Sequence, residues 1–230
     1  PTPPPETLDF DLWAGPGRAD DYRRNLVHYH WHWRWEYGTG ECGNNGVHAL
    51  DVVRWGLNVD GPRMVTCGGD KYFFDDDQET PAPQMVVFDC AGAAIQWEHR
   101  TWSPQGIDGS GFGIVFYGSD GTLSMVDNGW TITRGNKNKV VEKRDPTPRA
   151  DWMRGHIRSF LDCLVSREKP NADIEIGHRS TSLCHLANIA WRTRSTIRFD
   201  PQTEQIAENE AASALLSRSY RPGYEIPGDV

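Results

Sequence analysis

The sequence lacks several features that would place it at once in a functional class. Its five cysteines are widely spaced and form no Cys-x-x-Cys pair, which argues against a zinc knuckle or a disulfide framework and favours buried thiols. Its net charge is -8, with no long basic block, so no nucleic acid partner is expected. No apolar run approaches the roughly 18 residues of a membrane span, so no membrane partner is expected.

The Gly-x-Gly-x-x-Gly fingerprint, which binds dinucleotides between a strand and a helix, is also absent from this sequence. The nearest glycine cluster, Gly109, Gly111 and Gly113, lacks the last spacing and leads into a predicted strand. We interpret this cluster as a flexible loop. No cofactor-binding residue is therefore predicted in this chain.

What is present indicates a globular chain. Its 230 residues are 37% hydrophobic and 24% charged, and they include ten tryptophans, enough for one well-buried domain. Residues 1–16 are predicted to be a linker and anchor from another domain, because 1–7 are proline-rich and Phe10 and Trp13 can dock the segment. Residues 17–230 are predicted to form a single domain.

An aromatic segment, residues 28–37, alternates aromatic with titratable side chains. Alternation of period two predicts a strand with one aromatic face and one titratable face. His28, His30 and His32 could ligate a metal, but same-face side chains on a strand lie about 7 Å apart, so no metal site is predicted. The face is instead predicted to contact substrate, through Tyr29, Trp31, His32, Trp33, Arg34 and Trp35.

A helix is predicted over residues 44–57, where Asn44, His48, Asp51 and Trp55 fall on one face. Short strands separated by turns are predicted over 63–67, 84–90, 93–102, 113–117, 122–126, 130–134 and 196–199, with a hairpin turn at 118–121. Further helices are predicted around 153–164, 177–194 and 208–216. The pattern is typical of an α+β fold with an open, mainly antiparallel sheet and helices on one face.

Several of these segments resemble one family. The segment GTGECGNNGVHALDVVRWGL is similar to the glycine-rich turn and histidine helix of the Gfo/Idh/MocA oxidoreductases. LDFDLWAGP, FYGSDGTLSM, FLDCLVSREKPNADIEIGHRSTSLCHLANIAWRT and EAASALLSRSYRPGYEIP resemble the same family's C-terminal domain, in the same order. The resemblance implies that a separate N-terminal Rossmann domain binds NAD or NADP, and that this chain is inactive without it.

The resemblance also implies roles for particular residues. His48 would accept the proton released when a secondary alcohol is oxidised, since an imidazole titrates near neutral pH. Asn44 stands where the family has an acidic residue, and it would orient the ring without charge. The alternative is a structural helix histidine facing the sheet. The family's catalytic Glu-Lys-Pro is not expected at Glu168-Lys169-Pro170, which follows a C-terminal helix and is interpreted as a surface turn.

Other residues leave two interpretations open. Trp97, His99 and Trp102 could form the floor of the site or pack in the core, and the arginines of 192–198 are predicted to be solvated. The expected function is substrate binding and oligomerisation, as a dimer or tetramer through the sheet face, for an NAD(P)-dependent oxidoreductase of sugars, polyols or glycosides. The alternatives are a redox-assisted glycosidase or lyase of the same family, a non-catalytic carbohydrate-binding or scaffold domain, and a metal enzyme that uses the histidines of 28–37.

Overall fold

The computed structural model describes residues 1–19 and 22–228, which form a five-stranded and a four-stranded antiparallel sheet, with helices before, between and after their strands. The predicted α+β class is confirmed. The α-helices are α1 (Phe10–Ala14), α2 (Val47–Leu57), α3 (Arg149–Ser166), α4 (Ile174–Thr193) and α5 (Glu210–Ser213). The strands are β1 (Pro62–Gly68), β2 (Pro83–Cys90), β3 (Ala93–Arg100), β4 (Gly113–Tyr117), β5 (Thr122–Val126), β6 (Gly129–Arg134), β7 (Lys139–Arg144), β8 (Ile197–Asp200) and β9 (Gln205–Ala207).

The five-stranded sheet, in the order β3-β2-β1-β8-β9, has one covered face and one open face. Along β2, Val86 and Phe88 are buried while Met85 and Val87 are exposed, as expected when alternate side chains point to opposite faces. The buried side chains join a core with α2 and α4. The predicted open sheet with helices on one face is confirmed here.

The four-stranded sheet, in the order β4-β5-β6-β7, is a meander. The predicted hairpin turn is confirmed, since Tyr117 pairs with Thr122 across residues 118–121. Strand β7 was not predicted from the sequence because all its side chains are exposed, so the strand carries no alternation between buried and exposed residues. Ile114 from β4 is the buried residue through which this sheet reaches the main core.

Helices α2 and α4 are joined by a buried polar network. Arg54 is 9% exposed, and its Nε donates to Ser180 Oγ at 3.1 Å. Ser180 Oγ in turn donates to Asp51 Oδ1 at 2.5 Å, and Arg54 also donates to the carbonyl of Val59 at 3.4 Å. A buried charge is tolerated only when it is paired and hydrogen-bonded, so this network fixes how the two helices lie on the sheet.

The N-terminal segment has a small core of its own, built on Phe10, Tyr22 and Leu26. Asp9 caps α1 by accepting a hydrogen bond from the Leu12 amide at 3.0 Å. The Phe10 ring lies 5.1 Å from that of Tyr22. The division into a linker over 1–16 and a domain over 17–230 stays a prediction.

The remaining predicted helices are present, but their lengths differ from the predicted ones. Helix α5 is shorter than the predicted 208–216 segment. The apolar stripe of α3 is exposed, with Phe160 at 54% and Leu164 at 48%. None of the described helices is long and apolar enough to cross a membrane.

We expect Ser180→Ala to lower the free energy of unfolding by about 1–3 kcal/mol, because it leaves the buried Arg54 and the half-buried Asp51 without their common partner. The measurement is chemical denaturation. Ser182→Ala on the same helix is the control, since within the described part of the chain Ser182 Oγ bonds its own helix alone, at the carbonyl of His178, 2.8 Å away. Equal stability losses in the two variants would contradict the role of the network.

Candidate functional site

The aromatic segment is not a strand, so that prediction is wrong. His30–Trp33 form a short 3-10 helix. Tyr29 and the rings after it are held by local contacts. The ring centroids of Trp31 and His32 are 3.8 Å apart in a stacked pair, and those of Tyr29 and Trp33 are 5.4 Å apart. His32 Nδ1 lies 2.5 Å from the carbonyl of Tyr29. Contacts between side chains three and four residues apart favour a helical turn. An alternating sequence pattern does not exclude such contacts.

The acidic loop after β1 neutralises Arg34, which was predicted to bind substrate. Arg34 is 8% exposed; it pairs with Asp77 and lies 3.4 Å from Glu79. Slight burial opposes ionisation of Asp77, but the charge and hydrogen bond of Arg34 lower the pKa of that carboxyl. Glu79 also accepts a hydrogen bond from the Trp35 amide at 2.8 Å. Arg34 therefore fixes the loop and has no spare charge for a ligand.

A cleft of about 1550 Å³ lies beside Arg34 and Trp35. Three parts of the chain form its walls: residues 34–39, the outer side of α4, and residues 215–222. Such a volume exceeds the range of typical small-molecule pockets, so the cleft has room for a ligand of more than one ring. These segments are far apart in the sequence, which explains why the sequence did not predict the cleft.

The α4 wall of the cleft is polar. His178 Nε2 lies 2.7 Å from Glu204 Oε1. Desolvation by the surrounding protein lowers the pKa of the exposed His185, and the nearby His178 lowers it further. Asn188 donates to the carbonyl of Thr39 at 2.7 Å, which ties α4 to the opposite wall.

Tryptophans and arginines stack at one end of the cleft. Trp35 lies 5.9 Å from Trp191, centroid to centroid. The Arg192 guanidinium lies 5.1 Å from the centroid of Trp35, and Arg194 lies 4.3 Å from that of Trp191. The arginines of 192–198 were predicted to be simply solvated, but these two are held on aromatic faces.

His48 occupies the first turn of α2 and is exposed. The preceding residues, Cys42–Gly46, form a π-helix, a distortion that is frequent at functional sites. Asn44 does not bond His48 in the described residues; its amide donates to Glu41 Oε2 at 3.3 Å. Asn45 donates to the same carboxylate. Glu41 is therefore the acidic group of this turn, which the sequence reasoning missed because it lies three positions before Asn44.

Trp97 and His99 belong to the core. Of the two interpretations that the sequence left open, floor of the site or core packing, core packing is the one the structure shows for these two residues. Trp97 is 9% exposed and lies beneath Gly46, whose added Cβ would be 3.2 Å from the indole ring. Trp97 Nε1 donates to His99 Nδ1 at 3.3 Å, and His99 Nε2 lies 3.2 Å from the carbonyl of Pro81. Burial lowers the pKa of His99, because the charged ring is poorly solvated there.

The thiols and histidines of the described residues do not form a metal centre. Across residues 1–19 and 22–228, no group of three or more His, Cys, Asp or Glu side chains is arranged to hold a metal ion. The five cysteines are free, and Cys42, Cys90 and Cys184 are buried as predicted. A hydrogen bond with Cys184, together with burial, raises the pKa of Cys42, so this thiol stays protonated.

Comparisons with known proteins agree with the fold. Residues 1–83 and 121–226 match a family described as "Oxidoreductase family, C-terminal alpha/beta domain". Similar solved structures include an aldose-aldose oxidoreductase from Caulobacter crescentus (13% identity, TM-score 0.58, 74% of this chain and 50% of that one). Another, from Thermotoga maritima and assigned as an oxidoreductase, has 14% identity, a TM-score of 0.57 and the same coverage. The chain spans about half the length of these structures, and no curated protein matches it.

We expect stability to fall as the pH drops through the ordinary histidine range, about pH 6.5, because the unfolded state binds a proton that buried His99 resists. The loss should continue until the pH reaches the lowered pKa of His99. Denaturation midpoints measured from pH 8 to pH 5 test this. His99→Gln should flatten the dependence, whereas His156→Gln on exposed α3 should leave it unchanged. An unaltered profile in His99→Gln would refute the assignment.

Proposed function

The chain belongs to the Gfo/Idh/MocA oxidoreductase family, as its C-terminal α/β domain, and from this premise we propose that it is the substrate-binding domain of an NAD(P)-dependent oxidoreductase acting on a sugar, polyol or glycoside. The observation that carries the proposal is the exposed His48 on α2, directly after the π-helix. A polar cleft with Trp35 in its wall supports carbohydrate binding elsewhere on this chain, since His48 is not one of the residues that line it.

The chemistry proposed for this chain concerns the proton. Oxidation of a carbinol releases a hydride and a proton, and His48 takes the proton because an imidazole is available as a base near neutral pH. Glu41 fixes the amide of Asn44 on the same turn. The fixed amide leaves its oxygen as an acceptor for a substrate hydroxyl.

The described part of this chain has no motif for binding a dinucleotide. The described residues contain no strand that leads through a Gly-x-Gly-x-x-Gly turn into a helix. We propose that NAD or NADP is held by a separate domain, and that this chain by itself does not turn over substrate. His48 lies on the open side of α2, away from the sheet core, which is compatible with a second domain docking there.

We propose that the open face of the five-stranded sheet joins subunits in a homodimer or tetramer. Met64, Met85 and Val87 on this face are 38–48% exposed. Adjacent positions on β1 and β2 pair Thr66 with Val87 and Gly68 with Met85, so the apolar groups are neighbours on a broad surface. Apolar patches of this kind commonly mark interaction sites.

His48→Ala is expected to lower kcat for sugar or polyol oxidation roughly 10²–10⁴-fold in the intact protein, the usual contribution of a general base. NADH or NADPH formation is the measurement, and His156→Ala is the control because His156 lies on exposed α3. Full activity in His48→Ala would exclude the proton-acceptor role.

Product release from a glycoside without net NADH would instead indicate the redox-assisted glycosidase. Tight NAD binding by the 230-residue chain alone would contradict the separate-domain proposal.

Val87→Glu should shift the assembly toward monomers, since it buries a charge at each copy of the sheet interface. Sedimentation velocity at several protein concentrations measures the shift. Val141→Glu is the matched control, because Val141 is equally exposed at 48% but lies on β7 of the other sheet. A monomeric wild-type chain, or an unchanged assembly in Val87→Glu, would argue against this interface.

A further inference from the structure

The arginines in the wall of the cleft differ in one respect, which is whether the protein supplies them with a carboxylate. Arg192 pairs with none of the described carboxylates, while every other arginine of the wall has a partner. The partners are Glu36 for Arg18 and Arg218, Asp77 for Arg23 and Arg34, and Asp11 for Arg221. In a chain of net charge -8, an arginine left unpaired in a concave site is a place for an anion.

Arg194 shows what the protein does with a stacked arginine elsewhere. It lies 4.3 Å from the centroid of Trp191, as Arg192 lies 5.1 Å from that of Trp35. The donors of Arg194 are used, by Asp70 at 3.0 Å and by the carbonyl of Gly69 at 3.1 Å. Arg192 has the same support from an indole ring but no acceptor among the described residues, so its planar set of N–H donors is held in place and left open.

Polar side chains continue from Arg192 along one side of α4. Thr181, His185, Asn188 and Arg192 are spaced by four, three and four residues, which places them on one stripe of the helix. All four line the cleft. Asn188 is committed to Gln84 and Thr39, while Thr181 and His185 have no hydrogen-bond partner among the described residues and can bind hydroxyl groups.

The spacing sets the size of the ligand. Arg192 and His185 are seven residues apart, or about 10 Å along the helix axis. The long arginine side chain covers part of this distance, and a single sugar ring with an acidic substituent covers the rest. Thr181 lies a further turn away, about 6 Å, where a second group of hydroxyls would reach.

We propose that the cleft binds an anionic sugar, with its carboxylate or phosphate on Arg192 and its ring hydroxyls on His185 and Thr181. His48 is not one of the residues that line this cleft, so the proposal concerns a sugar-binding site separate from the proton acceptor and goes beyond the function proposed above. Binding itself needs only this chain. The stacked guanidinium recognises the planar carboxylate or the phosphate bidentately, and the polar stripe recognises the sugar.

Isothermal titration of the 230-residue chain with glucuronate, glucose 6-phosphate and glucose tests the proposal. We expect one or both anionic sugars to bind at least 10-fold more tightly than glucose. Binding of the carboxylate alone or of the phosphate alone identifies which acid the cleft takes. Acetate and inorganic phosphate should bind more weakly than the corresponding sugars, because they lack hydroxyls. Equal affinity for glucose and both anionic sugars, or for sugars and simple anions, would overturn the proposal.

Variants separate the arginine from general charge effects. Arg192→Gln should weaken binding of the anionic sugar about 10- to 100-fold, the loss of a charge-assisted hydrogen-bond pair, and leave glucose binding unchanged. Arg192→Lys should recover only part of it, since lysine lacks the planar set of donors. Arg194→Gln removes an equal charge nearby and should leave the affinity within about twofold. Equal losses at positions 192 and 194 would show unspecific attraction and contradict the site.

The two proposals fail in different ways. Failure of both anionic sugars to bind the 230-residue chain more tightly than glucose would refute the Arg192 site while the oxidoreductase function stands. Tight binding of an anionic sugar that is lost in Arg192→Gln, together with full activity in His48→Ala, would keep the site and refute the proton-acceptor role.

Discussion

The structure depends on the close approach of the backbone at residues 40–46 to the sheet and to its own preceding turn. A Cβ at Gly43 would lie 1.7 Å from Thr39 Oγ1, and one at Gly46 would lie 3.2 Å from the Trp97 ring. A side chain at Gly43 would require the Thr39 side chain to move, and one at Gly46 would require the Trp97 ring to give way by a few tenths of an ångström. The absence of side chains there allows the π-helix Cys42–Gly46 to form and α2 to begin against β3. The position of His48 on the first turn of α2 follows from this contact.

The same contact determines where the cleft lies. Asn188 of α4 donates to the carbonyl of Thr39 and accepts from buried Gln84 on β2. The turn before the π-helix, the sheet and the α4 wall are thus joined by one buried side chain. Because Arg54 and Asp51 of α2 are joined to α4 through Ser180, the two helices hold both His48 and the polar stripe in one layer on the sheet. A shift of α2 would move both.

The sequence predicted best those features whose cause is local. The hairpin at 118–121 and the helix that carries His48 have turn and periodicity signals within a few residues, and both are present. The aromatic segment had an equally clear pattern, yet ring stacking between near neighbours made it helical. Strand β7 has no buried face and hence no pattern. The cleft could not be predicted, since its walls meet only when residues 34–39, α4 and the C-terminal segment fold together.

Charge pairing distinguishes structural arginines from those available to a ligand. The residue type alone does not distinguish them, since both are arginine. From the sequence, Arg34 was a predicted substrate contact and Arg192 belonged to a solvated surface. In the fold, Arg34 is buried and matched by Asp77 and Glu79, because the loop after β1 turns back onto it. Arg192 is held on Trp35 and has no such match among the described residues. An arginine that organises a site must be neutralised to be buried, whereas one that recognises an anion must be held in place by uncharged contacts. Stacking on tryptophan meets this second requirement, and Arg192 is held in this way on Trp35.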